Sequence, residues 1–364
     1  MHPTFTSLIF FLLLTLAVGA QDNWQRPTSP RLWEFPRDHG SHPDFQTEWW
    51  YFTGNLKSED NKHYGYQLTF FRQGIQKNPS QANTRWTLRD YYFSHFTITD
   101  VANQTFHTAE RQTRGTLDHT HYAEDRMNIN LKDWSITQNA DEPETFTLQA
   151  SDGKAGISLR LTLTAVKPKV FHGRNGLSQK TSGVGNASYY YSFPRLATRG
   201  LLKIGEDEIV VTGSSWFDHE FMSNWLDEDL LGWDWFSLQL NNGEELMLYH
   251  LRRKSGIDPL SKGSHIDKDG HKTHLNLDDY QIEILDSWKS PDNGTNYPAK
   301  WRITFGDYEL TVTPQVEHQE LTVHIPTESS YWEGTCKIEG TYRGQPVSGY
   351  GYAELTGYFK PVSF

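Results

Sequence analysis

The sequence predicts an all-β protein made of two antiparallel β-barrels, and three observations support this. Short runs alternate apolar or β-branched residues with polar ones, as in "HYGYQLTFFRQGI" (63–75), "ISLRLTLTAV" (157–166) and "WRITFGDYELTVTPQ" (301–315). This two-residue period is typical of strands. Turn-forming groups such as Asn241-Asn242-Gly243 separate the runs. No amphipathic segment is longer than about three helical turns.

The number of strands favours barrels, because a closed sheet leaves no edge unpaired. A barrel of about eight strands encloses one small ligand, and a chain of 364 residues is long enough for two. We place the first domain at residues 21–222 and the second at residues 223–364. The Gly-rich stretch 172–186 has too few apolar residues for a core, so we expect a loop there that can move over a cavity.

The first 20 residues have the pattern of a cleaved signal peptide. An apolar run, Leu8 to Leu14, is followed by the small residues of Val18-Gly19-Ala20 and then by polar Gln21. The run is too short to span a bilayer. We therefore expect an exported protein, secreted or periplasmic, that begins near Gln21.

Composition excludes several classes of function. A net charge of −11 argues against nucleic acid as a partner. Cys336 is the single cysteine, so an internal disulfide is impossible. The sequence has no P-loop, dinucleotide fingerprint, G-x-S-x-G elbow or zinc-binding motif. We therefore expect neither a metal nor a cofactor.

The segment "TEWWYFTG" (47–54) concentrates aromatic residues around one carboxyl group. Alternation along a strand places Glu48, Trp50 and Phe52 on one face, and Trp49 and Tyr51 on the other. One set should line the inside of a barrel and the other should pack against a neighbour. A buried Glu48 would act as a proton donor if its pKa were raised. The alternative, which we favour, is a buried ion pair with an arginine such as Arg72 of "FFRQG".

The segment "GSSWFDHEF" (213–221) places three titratable side chains among aromatic residues. Trp216, Asp218 and Glu220 share one strand face, and His219 lies on the other. Acid–base chemistry and a structural salt-bridge cluster are equally good explanations. In "YYYSFPRL" (189–196), alternation turns at least one tyrosine hydroxyl inward.

The segment "GWDWFSLQLNNGEELMLYHLRR" (232–253) predicts a hairpin that turns at residues 241–243. Asp234 lies between Trp233 and Trp235 and shares a face with Phe236. Its burial would be unfavourable unless the carboxyl group were protonated or hydrogen-bonded.

Seven motifs, taken in order, resemble those of the AttH-like proteins, which group with carotenoid 1,2-hydratase (hydroxyneurosporene synthase). They are "EWWYFTGNL", "YGYQLTFFR", "SHFTITD", "YYYSFPRL", "VTGSSWFDHEF", "GWDWFSLQLNNGEELMLYHLR" and "GYGYAELTGY", and they extend over residues 40–358. The resemblance implies two lipocalin-like β-barrel domains with a hydrophobic pocket near their junction. The sequence departs from the family pattern at 222–232, where an acidic loop with Asp227, Glu228 and Asp229 could alter access to the pocket.

The resemblance also suggests which residues would form a site. The candidate catalytic residues are Asp218, His219, Asp234, Tyr190 and Glu48. The candidate ligand-binding residues are Trp49, Trp50, Tyr51, Trp216, Trp233 and Trp235.

Two functions from different classes fit these residues. The first is an exported carrier that binds a hydrophobic lipid or isoprenoid, with a membrane or a transporter as a further candidate partner. The alternative is a cofactor-free hydratase that protonates a C=C bond of a carotenoid or terpenoid and adds water. A secreted hydrolase is disfavoured, because no nucleophile is recognisable. Under the enzyme hypothesis, Asp218 or Asp234 should face a pocket without a basic partner. The oligomeric state stays open.

Overall fold

The computed structural model describes residues 24–77, 88–114, 120–223, 229–324 and 329–362. Within these ranges the chain forms two antiparallel sheets of 13 and 11 strands. The first sheet curls into a nearly closed barrel and the second into a half-barrel, which confirms the predicted all-β, two-barrel class. The predicted signal peptide lies outside the described residues. None of the described helices has the length and apolar character needed to cross a membrane.

The first sheet has the order β4-β3-β2-β1-β13-β12-β9-β8-β7-β6-β5, with β10 and β11 added to β12. Its strands are β1 (Thr47–Ser58), β2 (His63–Gly74), β3 (Asp90–Asp100), β4 (Thr105–Thr113), β5 (Thr120–Tyr122), β6 (Asn128–Leu131), β7 (Trp134–Gln138), β8 (Thr145–Asp152), β9 (Ile157–Ala165), β10 (Val170–Phe171), β11 (Leu177–Gln179), β12 (Ala187–Ile204) and β13 (Asp207–Met222). Arg111 of β4 helps to close this barrel, because its guanidinium contacts Asp152 at 2.7 Å and Asp133 at 3.2 Å.

The second sheet has the order β18-β17-β15-β14-β24-β23-β21-β20-β19, with β16 paired to β15 and β22 to β23. Its strands are β14 (Leu230–Leu240), β15 (Glu245–Arg253), β16 (Gly256–Ile257), β17 (Lys262–Ile266), β18 (Lys272–Asn276), β19 (Tyr280–Lys289), β20 (Asn296–Phe305), β21 (Tyr308–Pro314), β22 (Glu320–Val323), β23 (Ser329–Tyr342) and β24 (Gln345–Leu355). Short 3₁₀ helices occupy Arg37–His39 and Leu277–Asp279.

Local predictions are met in most places. The hairpin predicted around residues 241–243 joins β14 and β15. The Gly-rich stretch 172–186 is mainly loop but includes the short strand β11. The described strands change from the first sheet to the second between Met222 and Leu230. The exact domain boundary at residue 222 stays a prediction.

Hydrophobic side chains form one core inside each sheet and a third cluster between the sheets. Trp50 and Phe52 belong to the first core, and Phe236 and Trp301 to the second. The third cluster is rich in aromatic residues: Tyr51, Tyr190, Trp216, Trp235, Tyr249 and Tyr352. Each such side chain gains roughly 2–3 kcal/mol from burial, so this layer both holds the sheets together and forms the surroundings of the site.

Candidate active site between the two sheets

The outer face of the first sheet provides one wall of the site. Strand alternation on β1 turns Trp50 and Phe52 into the barrel and leaves Tyr51 and Trp49 towards the second sheet. Registers between neighbouring strands then place outward side chains in rows. One row crosses five strands and contains His95, Thr69, Tyr51, Asp218 and Ser192. The adjacent row contains Phe71, Trp49, Glu220 and Tyr190.

The second sheet provides the opposite wall by the same alternation. A row across β15, β14, β24 and β23 contains Tyr249, Trp235, Glu354 and Glu333. The residues of both walls enclose a cavity lined mainly by aromatic rings and three carboxyl groups. Its lining consists of Trp49, Tyr51, Gln67, Thr69, Phe71, Lys180, Tyr190, Asp218, Glu220, Trp233, Trp235, Tyr249, Leu251, Tyr331 and Glu354.

The cavity is narrow. It contains about 750 Å³ of atom-free space, its open mouth included, but the centre of a water molecule can reach only about 80 Å³ of it. Ligand pockets are typically lined by apolar and aromatic side chains with a few polar groups. The aromatic lining therefore favours an apolar molecule, and the small free volume favours a slender one.

Asp218 has a buried carboxyl group on the wall of this cavity, and the residue is only 4% exposed. It accepts hydrogen bonds from Tyr190 at 2.7 Å, from Trp216 Nε1 at 2.7 Å and from the Ser192 hydroxyl. Burial raises the pKa of Asp218 to about 7, although these three bonds lower it. No cation among the described residues pairs with it.

A chain of hydrogen bonds orients the partners of Asp218. The Ser192 hydroxyl donates to Asp218, so it accepts from Nε2 of His172, 2.6 Å away. Nδ1 of His172 then accepts from the Ser264 hydroxyl at 2.9 Å. Burial holds the pKa of His172 well below its usual range, which keeps the ring neutral, as this arrangement requires. Tyr190 in turn accepts a bond from Trp235 Nε1 at 3.2 Å.

The other two carboxyl groups of the cavity differ from Asp218. Glu220 pairs with Lys180 at 2.5 Å, and the Lys180 ammonium lies 5.1 Å from the Tyr190 ring and 4.8 Å from the Tyr249 ring. Glu354 accepts a bond from Trp233 Nε1 at 3.0 Å. Burial, followed by the nearby Asp218 charge, raises the pKa of Glu354 to about 7. The cavity therefore contains two carboxyl groups that can hold a proton near neutral pH.

Three of the predicted site residues lie inside the first barrel and not in the cavity. Glu48 is fully buried and contacts Arg72 at 3.2 Å, His42 at 2.7 Å and His219 at 3.0 Å. Burial alone would raise the pKa of Glu48, but these neighbours hold it well below its usual range. Glu48 thus stays ionised, and the favoured pairing with Arg72 is confirmed. Alternation turns Glu48, His219 and Trp50 into the first barrel, so none of them lines this cavity. Their catalytic and ligand-binding roles stay predictions.

Two further candidates, Asp234 and Trp216, lie near the cavity but do not line it. Asp234 lies on the β14 face opposite Trp233 and Trp235, where it pairs with Arg252 at 2.8 Å and accepts from Tyr358 at 3.0 Å. Strand alternation thus leaves Asp234 outside the cavity lining, and its catalytic role stays a prediction. Trp216 does not line the cavity either, but its indole donates to Asp218. The candidates that do line the cavity are Asp218, Tyr190, Trp49, Tyr51, Trp233 and Trp235.

Sequence reasoning missed several lining residues. The sequence contains one indication of Glu354, because a charged residue stands there between Ala353 and Leu355 within a strand-like run. Glu220 shares a strand face with Asp218, but alternation alone does not show that this face lines a cavity. Lys180 lies in the Gly-rich stretch, and nothing in its local sequence indicates that it reaches Glu220. Tyr249 of the second sheet lines the cavity beside Trp235 through strand pairing that its local sequence does not show.

Comparisons with known proteins agree with this architecture. A family model described as AttH-like matches residues 26–358. A protein assigned as an AttH (NE1406) from Nitrosomonas europaea is 31% identical, with a TM-score of 0.81 over 92% of this chain and 100% of that chain. No match was found among the curated proteins.

Two more distant structures share the fold. Kievitone hydratase from Nectria haematococca is 14% identical, with a TM-score of 0.69 over 93% of this chain and 97% of that one. CghA is 13% identical, with a TM-score of 0.54 over 92% and 98% of the respective chains. At these identities the similarity establishes the lipocalin-like fold alone.

Proposed function

The chain belongs to the AttH-like family, and on that premise we propose that it is a cofactor-free hydratase for an apolar, isoprenoid-type alkene. The substrate binds in the cavity between the sheets, and Asp218 protonates its C=C bond. One observation carries the proposal. Asp218 is a buried carboxyl group on an aromatic cavity wall, has a pKa raised to about 7, and has no cationic partner among the described residues.

Protonation of carbon needs an acid that still holds its proton at neutral pH. With a pKa of about 7, roughly half of the Asp218 side chains carry the proton at pH 7. Glu48 and Asp234 are equally buried but are paired with Arg72 and Arg252. Among the described residues Asp218 has no such cation, so no ion pair offsets the effect of burial on its pKa.

The aromatic lining supports both binding and chemistry. Trp49, Tyr51, Trp233 and Trp235 present apolar surface to a ligand. Their π-faces also attract positive charge and would stabilise a carbocation where solvent is excluded. The narrow space suits a slender hydrocarbon chain better than a bulky ring system.

The proposed reaction balances without a redox partner. The Asp218 O–H bond breaks as a C–H bond forms, leaving a carboxylate and a tertiary carbocation. A water molecule then forms a C–O bond to the cationic carbon, and its surplus proton returns to the Asp218 carboxylate. The substrate gains one hydrogen and one hydroxyl group, and the acid is restored.

The fold comparison supports this choice by analogy only. A hydratase with the same fold is one of the structural neighbours. A hydrolase has less support, because the described cavity lining contains no serine or cysteine that could act as a nucleophile. Export after cleavage of residues 1–20, and association with a membrane or a transporter, are parts of the proposal that rest on the sequence.

A carrier function is the competing proposal, since it needs the same aromatic cavity without the chemistry. Citronellol, farnesol and squalene, which are isoprenoids of increasing length, separate the two in a mixture of D₂O and H₂¹⁸O. The hydratase proposal predicts a tertiary alcohol from at least one of them, with deuterium on carbon and ¹⁸O in the hydroxyl group. Asp218→Asn should abolish both labels.

The matched control is Asp234→Asn, which changes a buried carboxylate outside the cavity and should retain labelling. Binding of these isoprenoids with no label in any of them would refute catalysis and leave a carrier. No binding of any of them would refute the isoprenoid cavity itself.

A further inference from the structure

A second group of buried polar atoms lies beside the cavity and takes no part in the proposed proton transfer. Gln67 Oε1, His95 Nε2 and Glu333 Oε2 have no hydrogen-bond partner among the described residues. Their residues are 1%, 5% and 0% exposed. Buried polar groups in proteins are almost always paired, either with protein atoms or with ordered water.

All three side chains face the gap between the sheets. Gln67 of β2 lines the cavity. His95 of β3 reaches across the gap, since its Nδ1 lies 2.8 Å from the Tyr331 hydroxyl of the second sheet. Glu333 of β23 accepts a bond from the Tyr51 hydroxyl of the first sheet at 2.6 Å. The two tyrosines that make these contacts are themselves cavity residues, so the polar group adjoins the cavity.

Glu333 is a buried acid whose Oε2 has no hydrogen-bond partner among the described residues. Burial, followed by repulsion from its cross-strand neighbour Glu354, raises the pKa of Glu333 well above its usual range. Since Tyr51 donates to Oε1, a proton held by Glu333 would sit on Oε2. That O–H group has no acceptor among the described residues. A water molecule would satisfy it, because water both accepts and donates.

We propose that Gln67, His95 and Glu333 hold ordered water beside the cavity, and that this compartment supplies the water that adds to the substrate. The second half of the inference rests on the proposed hydratase function. Tyr51 connects the two parts, since it bonds to Glu333 and lies directly opposite Asp218 in the β1–β13 register. Water leaving the compartment past Tyr51 therefore arrives beside the carboxylate that must take up its proton. Glu333 is a positioning residue, because it acts through this water.

The placement of water decides the product. A carbocation beside a carboxylate can lose a neighbouring proton to it and give an isomeric alkene. The hydrate forms only when water captures the cation first. A held water thus separates a hydratase from an isomerase that uses the same acid.

A crystal structure of the full chain tests the compartment without any substrate. We expect ordered waters within hydrogen-bond distance of Glu333 Oε2, Gln67 Oε1 and His95 Nε2. Infrared difference spectra of wild type and Glu333→Gln should show a protonated carboxylic-acid band that is lost in the variant. Tyr51→Phe, which keeps the ring, should shift this band and provides a second variant if Glu333→Gln does not fold. A dry compartment in well-ordered density, or the absence of that band, would overturn the inference.

Product partition with citronellol tests the supply of water. In D₂O and H₂¹⁸O, Glu333→Gln should still place deuterium on carbon, but the ratio of ¹⁸O-labelled alcohol to isomerised alkene should fall roughly tenfold or more. An unchanged ratio would refute the role of Glu333, whereas a purely structural defect would lower both products together. If wild type yields neither product, the hydratase proposal and the supply of water fail together, while the crystallographic and infrared results still decide whether the compartment holds water.

Discussion

Replacing Asp218 by asparagine removes the titrating proton and keeps the size of the side chain. The carboxyl group has an ordinary pKa of 3.8 when the chain is unfolded and a pKa of about 7 in the folded protein. An acid with a raised pKa in the folded state keeps its proton while the unfolded chain releases it. It therefore destabilises the folded protein increasingly as the pH rises from about 4 to about 7.

The size of this effect follows from the shift. One pKa unit corresponds to about 1.4 kcal/mol, so a change from 3.8 to about 7 corresponds to about 4 kcal/mol. Below about pH 4 the carboxyl group is protonated in both states, and the effect disappears. The Asp218→Asn variant would lose one acceptor for the three donors, a constant cost of about 1–3 kcal/mol at every pH. The difference in unfolding free energy between variant and wild type should thus shift by about 4 kcal/mol in favour of the variant between about pH 4 and about pH 8.

Urea unfolding, monitored by tryptophan fluorescence at a series of pH values, measures this difference directly. Other titrating groups are present in both proteins, so most of their contributions cancel in the comparison. Asp234→Asn is the comparison variant: burial raises the pKa of Asp234 as well, but its Arg252 partner opposes that rise, so its difference should shift less with pH than that of Asp218→Asn. A difference between Asp218→Asn and wild type that does not change with pH would show that Asp218 titrates normally, and the assignment of the acid would be refuted.

Three other substitutions test separate parts of the account. Arg72→Met should lower the free energy of unfolding by about 3–5 kcal/mol, because it leaves Glu48 buried without its arginine; a loss under about 1 kcal/mol in urea titrations would contradict the buried ion pair. Trp235→Leu should weaken farnesol binding roughly tenfold in a fluorescence titration, since it removes one aromatic wall, and an unchanged affinity would place the ligand elsewhere. Lys180→Met removes the cation that pairs with Glu220. The pH at which the rate declines on the alkaline side should then rise, because an uncompensated negative charge opposes ionisation of the acid. An unchanged alkaline pH limit would show that this ion pair does not influence the acid.

Strand alternation alone predicted much of the first wall. In β1 it separated Trp50 and Glu48 from Trp49 and Tyr51, and the structure places the two sets on opposite faces. It also placed Asp218 apart from His219. Alternation could not decide which face turns into the barrel. The predicted site residues therefore include Glu48 and Trp50, which the structure places inside it.

The second wall could not be predicted, because it depends on contacts between distant parts of the chain. Glu354 and Glu333 enter the site through the pairing of β14, β24 and β23, and no local pattern encodes which strands face β1. The position of Asp234 shows the opposite case. Its strand face was predicted correctly, but its pKa depends on burial, which raises it, and on the guanidinium of Arg252 on the paired strand, which lowers it.

The most direct test of the central claim is the pH dependence of deuterium incorporation into carbon from D₂O with citronellol as substrate. If Asp218 is the proton donor, incorporation should need no added metal or cofactor, should decline above about pH 7 as the acid ionises, and should vanish in Asp218→Asn. Incorporation by Asp218→Asn at the wild-type rate, or bound citronellol that never acquires deuterium, would contradict the account.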